Sequence, residues 1–144
     1  MRPRTVEVFT ETIEKTGQWL NELMDETGKS EPRPAYSALR AVLHVLRDRL
    51  TVDEAVNLGA QLPMLVRGFY YDGWRPAGRP LKHRHKRAFL QLVADCYPAL
   101  PETEREATVR AVFKLLARHI SAGEIQHVRN QLSADMRALW ETPP

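Results

Sequence analysis

Residues 38–70 read ALRAVLHVLRDRLTVDEAVNLGAQLPMLVRGFY, and residues 108–140 read TVRAVFKLLARHISAGEIQHVRNQLSADMRALW. Aligned without a gap at a spacing of seventy, Arg40, Ala41, Val42, Leu46, Glu54, Gln61, Leu62 and Arg67 fall on Arg110, Ala111, Val112, Leu116, Glu124, Gln131, Leu132 and Arg137. Eight identities in thirty-three pairs exceed the roughly two that ordinary composition would supply. Like-for-like exchanges lie between them: Leu43 with Phe113, Leu50 with Ile120, Thr51 with Ser121, Leu58 with Val128, Tyr70 with Trp140. The chain reads as a tandem duplication. Within each copy the apolar residues recur at three- and four-residue steps, the period of a helix with one buried face.

Working outward from the first copy, Val6, Phe9, Ile13, Leu20, Leu23 and Met24 predict a helix from about Thr5 to Asp25, ended by Gly28. Pro32 and Pro34 predict an extended connector. Helices follow over about Ala35–Leu50 and Val52–Leu62, and Pro63 suits the first turn of a fourth, with Ser133 as N-cap in its place in the second copy. The segment 72–81, DGWRPAGRPL, breaks the pattern with two prolines and two glycines. A fifth helix is expected from about Lys82 to Tyr97, with Cys96 on its apolar stripe as an inert buried thiol. Thr103-x-x-Glu106 suggests a capping box before a sixth helix, and helices lined by Ile125, Val128, Leu132 and then Met136, Leu139, Trp140 complete the chain. The expectation is an all-α protein of about eight helices in two pseudo-symmetric four-helix halves. It forms a single domain over 1–144, with repeats at about 5–71 and 82–141 joined by the linker 72–81.

The 144 residues suffice for a core without disulfide or metal, and the single cysteine excludes a disulfide framework. No run approaches the roughly 18 apolar residues of a membrane span, and the acidic amino end is unlike a signal peptide, so a cytoplasmic protein without membrane contact is expected. The net charge of +3 is unevenly placed. Residues 67–87 hold seven basic side chains against Asp72, a local +6 that leaves −3 for the rest.

That junction carries the candidate binding surface: Arg67, Tyr70, Tyr71, Trp74, Arg75, Arg79, Lys82, His83, His85 and Lys86. Aromatic faces among cations suit single-stranded nucleic acid, nucleotides or acidic partners. A fifth helix starting at Lys82 would also place four cations where its dipole is already positive, a conflict that a bound anion would relieve. His83-x-His85 is the only local metal-like spacing, and on a helix its rings lie roughly 200° apart. His44, His119 and His127 stand alone. Thr51-x-x-Glu54 and Ser121-x-x-Glu124 read as capping boxes, each glutamate reaching back to the N–H of its cap. No nucleophile elbow, phosphate-cradling glycine loop, HExxH or CxxC is present, and no cofactor is expected.

The stretches QLPMLVRGFYYDGW (Gln61 to Trp74), RPxGRPLKxR, and the second-copy pattern with ISAGEI, a QL step and RALW resemble the bacterial and archaeal family catalogued as domain of unknown function 2267. Ser133 stands where proline is more usual in that pattern. The resemblance implies an all-helical domain of two related halves and brings no catalytic residues with it. The functional expectation is a non-catalytic interaction module acting through the junction on a protein partner or a second copy of the chain. The alternative is anion or nucleic-acid binding by Arg75, Arg79, Lys82, Arg84, Lys86 and Arg87. A third reading is a metal-dependent enzyme using His83 and His85.

Overall fold

The computed structural model describes residues 2–82 and 85–141. Among them it is all helical: α1 (Glu7–Thr27), α2 (Pro32–Arg47), α3 (Val52–Ala60), α4 (Met64–Tyr71), α5 (Lys86–Cys96), α6 (Arg105–His119), α7 (Ala122–Asn130) and α8 (Ala134–Arg137), with 3-10 turns at Glu102–Glu104 and Ala138–Trp140. The apolar identities of the repeat face inward from α2 and α6, where Val42, Leu46, Val112 and Leu116 retain no exposed surface. α1 and α5 each lie against both of these central helices, and α3 packs on α7. One apolar cluster runs from Trp19 to Leu139, draws on every α-helix, and takes Trp74 of the linker against its side. Its aromatic members interlock, with Trp140 stacked on Phe113 at 4.0 Å and Phe113 edge-on to Phe89.

Equivalent residues of the repeat, Thr51 with Ser121 and Gln61 with Gln131, form two crossed clasps over the α3–α7 contact. The Thr51 N–H donates to Gln131 Oε1 and the Ser121 N–H to Gln61 Oε1, both at 2.9 Å. The same amide groups donate back, Gln61 Nε2 to Ser121 Oγ at 3.1 Å and Gln131 Nε2 to Thr51 Oγ1 at 3.3 Å. The third shared polar pair closes helix ends: Arg67 donates to the carbonyls of Gly59, Ala60 and Leu62 after α3, and Arg137 to that of Leu132 after α7. Carbonyls left over at a helix C-terminus need such donors.

Several local expectations are corrected. Only the second half of α1 is buried, through Thr16, Trp19 and Leu23; Val6, Phe9 and Ile13 are exposed because no element covers the first two turns on that side. Pro32 and Pro34 open α2 instead of extending the connector, since the first turn of a helix has no use for the N–H they lack. Pro63 takes the N-cap of α4 itself, while Ser133 caps α8 with its hydroxyl on the Met136 N–H. Thr103 and Glu106 form no capping box, because Glu102–Glu104 tightens into a 3-10 turn before α6. α5 begins at Lys86, four residues later than its apolar pattern suggests. Cys96, at its last turn, is exposed, not buried. Partial desolvation, and then the charge of Asp95, still pushes its thiol up from the ordinary value.

The α3–α4 corner depends on Gly59. A Cβ there would meet the Tyr71 hydroxyl and come within 3.1 Å of Tyr70 Cε2 in the buried side of the corner. Gly59→Ala is expected to cost about 1–2 kcal/mol in urea denaturation and to unstack Tyr71 from Trp74, visible as a change in tryptophan fluorescence.

Candidate functional site at the seam between the copies

The structure does not present the junction as one surface. Tyr70 is fully buried, its hydroxyl donating to the Ala55 carbonyl at 2.7 Å, and burial pushes its ionisation far above the ordinary tyrosine range. Tyr71 lies between Tyr70 and Trp74, tilted against the first with ring centroids 4.9 Å apart and stacked on the second at 5.4 Å. Arg67 is spent on the end of α3. These four side chains build the corner between α3, α4 and the linker, so the stacking platform expected for single-stranded nucleic acid is used up internally. Buried Arg47 and His44 complete the corner: Arg47 donates to the carbonyls of Tyr70 and Asp72, and His44 Nε2 lies 2.6 Å from that of Phe69. Burial holds the His44 imidazole below its ordinary pKa.

The cations separate likewise. Arg75, Lys82, His85 and Arg87 are exposed, whereas Arg79 turns back to Asp48 at 3.4 Å. Lys86 pairs with Glu106 at 2.9 Å, an interaction that draws the Glu106 carboxyl below the usual range, while the Lys86 N–H is taken by the Asp135 carboxylate. The anion that satisfies the start of α5 is therefore the protein's own, and only Lys86 and Arg87 of the four expected cations lie in its first turn. His83 and Arg84, and with them the proposed His83-x-His85 spacing, lie outside the described residues.

The unexplained charge lies one step upstream. Arg49, between α2 and α3, is 4 % exposed, and none of its three guanidinium nitrogens has a hydrogen-bond partner among the described residues. It lines a cleft of about 410 Å³ whose near wall is Pro80, Leu81 and Lys82 and whose far wall is the α7–α8 turn, with Gln131, Leu132 and Met136. The linker is fastened over it by the Leu81 N–H on the Asp48 carbonyl at 2.9 Å. Burial lowers the Arg49 pKa; Asp48 opposes this, but its carboxylate already serves Arg47 at 3.0 Å and Arg79. The residue seventy further on is His119, and there the partner exists: Glu22 accepts from His119 at 2.6 Å and from Arg118 at 2.8 Å, and the imidazole stacks on Trp19. One copy thus keeps the acid that the other lacks. A buried guanidinium without acceptors costs about 1–3 kcal/mol or more, which leaves Arg49 an uncompensated cation in the wall of the cleft.

A second cluster sits where α3 meets α7. Thr51 Oγ1 and Ser121 Oγ cap the Glu54 and Glu124 N–H groups as expected, at 3.2 and 3.3 Å. The reach-back expected of the glutamates is not made, because the glutamine clasps already hold the N–H groups of Thr51 and Ser121. Both carboxyls turn inward instead, each residue 7 % exposed and each Oε2 without a hydrogen-bond partner among the described residues. Burial first, then Glu54 as hydrogen-bond partner and like charge, pushes the Glu124 carboxyl up to about 8, so it keeps a proton at neutral pH. His127, one turn along α7, stands 3.9 Å from Glu124 through Nδ1.

Neither Arg49 nor the glutamate pair was selected by local sequence rules. The signal available was the repeat itself: Glu54 and Glu124 are shared polar positions, and Arg49 opposite His119 is an unlike one. Comparison with known proteins adds the lineage. No curated protein matches the chain, while the profile of a family described as an uncharacterized conserved protein, DUF2267, matches residues 16–139. That span takes in both copies and the linker between them, and it agrees with the resemblance read from the QLPMLVRGFYYDGW stretch. This all-helical chain belongs to the DUF2267 family.

Proposed function

We propose that the protein is a non-catalytic helical binding module that holds a phosphate group of a small molecule in the cleft between the linker and the α7–α8 turn. The observation that carries this reading is the Arg49 guanidinium, buried in the cleft wall with no nitrogen partnered among the described residues. A planar guanidinium matches phosphate oxygens in bidentate fashion, and Lys82 at the rim adds a flexible charge. The cleft volume lies in the range of small-ligand pockets. Tyr70, Tyr71 and Trp74, engaged with one another inside the corner, weigh against a single strand of nucleic acid as the ligand.

Calorimetric titration with inorganic phosphate and pyrophosphate in a low-salt, phosphate-free buffer tests the reading. One equivalent is expected to bind, with affinity falling as salt rises; Arg49→Met is expected to abolish binding, and Lys82→Ala to weaken it and flatten the salt dependence. Absence of both heat and thermal stabilisation at about 10 mM phosphate removes the reading. Tight binding of a single-stranded oligonucleotide with none of free phosphate would transfer it to nucleic acid.

A further inference from the structure

We propose that Glu54, Glu124 and His127 form a binding site for one divalent first-row transition ion, Zn2+ or Mn2+, across the α3–α7 contact. One carboxylate oxygen from each glutamate and one imidazole nitrogen all lie within 4.8 Å of one another. Bond lengths of about 2.0–2.2 Å require donors to close to about 3.4 Å in a tetrahedral set. His127 can supply that contraction, since its side chain is 66 % exposed and can change rotamer, whereas the two carboxyls are fixed in the helix contact.

Three observations point to a cation. Helix capping uses only the Thr51 and Ser121 hydroxyls, which leaves the carboxylates without a structural task. No Lys or Arg among the described residues pairs with either glutamate; the one basic neighbour within 4 Å is His127. Each buried Oε2 lacks a hydrogen-bond partner among the described residues, a shortfall that a cation held between the carboxyls would relieve. Mixed oxygen and imidazole donors favour Zn2+ or Mn2+ over Mg2+ or Ca2+. The exposed side of the cluster is that of His127, which gives water and an ion an entry path. This site is separate from the Arg49 cleft and stands whether or not phosphate binds there.

The experiment uses the full chain freed of metal by a chelator. Mn2+ is titrated while the electron paramagnetic resonance signal of the free ion is followed, and Zn2+ is titrated calorimetrically. One ion per chain is expected. His127→Ala is expected to weaken it by roughly tenfold and to remove the nitrogen modulation from the spin echo of bound Mn2+, and Glu54→Gln with Glu124→Gln to weaken it by more. His127 is exposed, so its variant reports even if the double glutamine variant folds poorly, which circular dichroism would reveal. No saturable binding of either ion below about 1 mM overturns the proposal. So does binding that survives both sets of substitutions, or binding by wild-type protein with no nitrogen modulation and no loss in His127→Ala.

Discussion

Arg49→Met is expected to melt higher than the wild-type protein in a buffer free of phosphate and other oxyanions. Methionine keeps most of the volume of the arginine stem and fills the same wall of the cleft, but brings no charge that must be desolvated. Among the described residues Arg49 has neither an acceptor for its nitrogens nor an acid of its own, Asp48 being shared with Arg47 and Arg79. Removing an uncompensated buried cation is therefore worth roughly 2 kcal/mol, which corresponds to a rise of about 6 °C for a chain of this size. Scanning calorimetry of the two proteins with and without phosphate gives the four melting points needed. Phosphate should raise the wild-type midpoint and leave that of the variant where it is, so that the gap narrows or reverses as ligand is added. A variant that melts lower in anion-free buffer would mean that Arg49 has a structural partner after all, and the cleft would lose its claim on an anion.

The second large effect is a dependence of stability on pH carried by Glu124 in the metal-free protein. Its folded value, about 8, lies above the value of 4.5 for the unfolded chain, so between these limits the native state holds a proton that the unfolded state has released. Stability is fully present below about pH 4.5 and is lost as pH rises toward 8. Among the described residues the groups facing Glu124 are Glu54, His127 and, through the field at its phenol, Tyr70; none is a lysine or arginine. Glutamine copies the protonated carboxyl and does not titrate. Glu124→Gln should accordingly match the wild type near pH 5 and exceed it by roughly 2 kcal/mol at pH 8, in urea titrations run with a chelator present. A wild-type stability that does not fall between those two pH values, or a variant that shows the same fall, would contradict the assignment.

The helices themselves were readable because their causes are local. Periodicity located α2, α3, α6 and α7 to within a few residues, and Thr51, Ser121, Ser133 and Gly28 marked ends by short-range hydrogen bonding or by a left-handed backbone, φ 71° at Gly28. What failed was whatever depended on a neighbour from elsewhere in the chain. Val6, Phe9 and Ile13 have a correct apolar stripe, but coverage of a stripe is a tertiary matter. Lys82 has a helix-compatible pattern after it, yet the Leu81 N–H is held by Asp48, and α5 begins only where Asp135 receives the Lys86 N–H. The glutamates were assigned to caps because the sequence contains both halves of the box. Only the structure shows that Gln61 and Gln131, each from the other copy, had taken the N–H groups they would have bonded. In the same way, the basic run from 67 to 87 is visible as charge density, whereas Arg49 stands out only by its lack of a partner among the described residues, which sequence spacing does not display.

The two glutamine clasps join residues 60 and 80 apart in sequence, in a protein whose other hydrogen bonds are mostly those of single helices. Closing loops of that length carries an entropic cost that local helix formation does not. The hairpins α2–α3 and α6–α7 must therefore be in place before the clasps can reward their meeting, which makes this contact a late event in folding and an early one in opening. Gln131 lines the Arg49 cleft and bonds Thr51, the residue that starts the turn leading to Glu54. A transient opening of that single contact would undo the phosphate cleft and the carboxyl pair together, so ligands at either place would slow the same motion and, through it, favour each other.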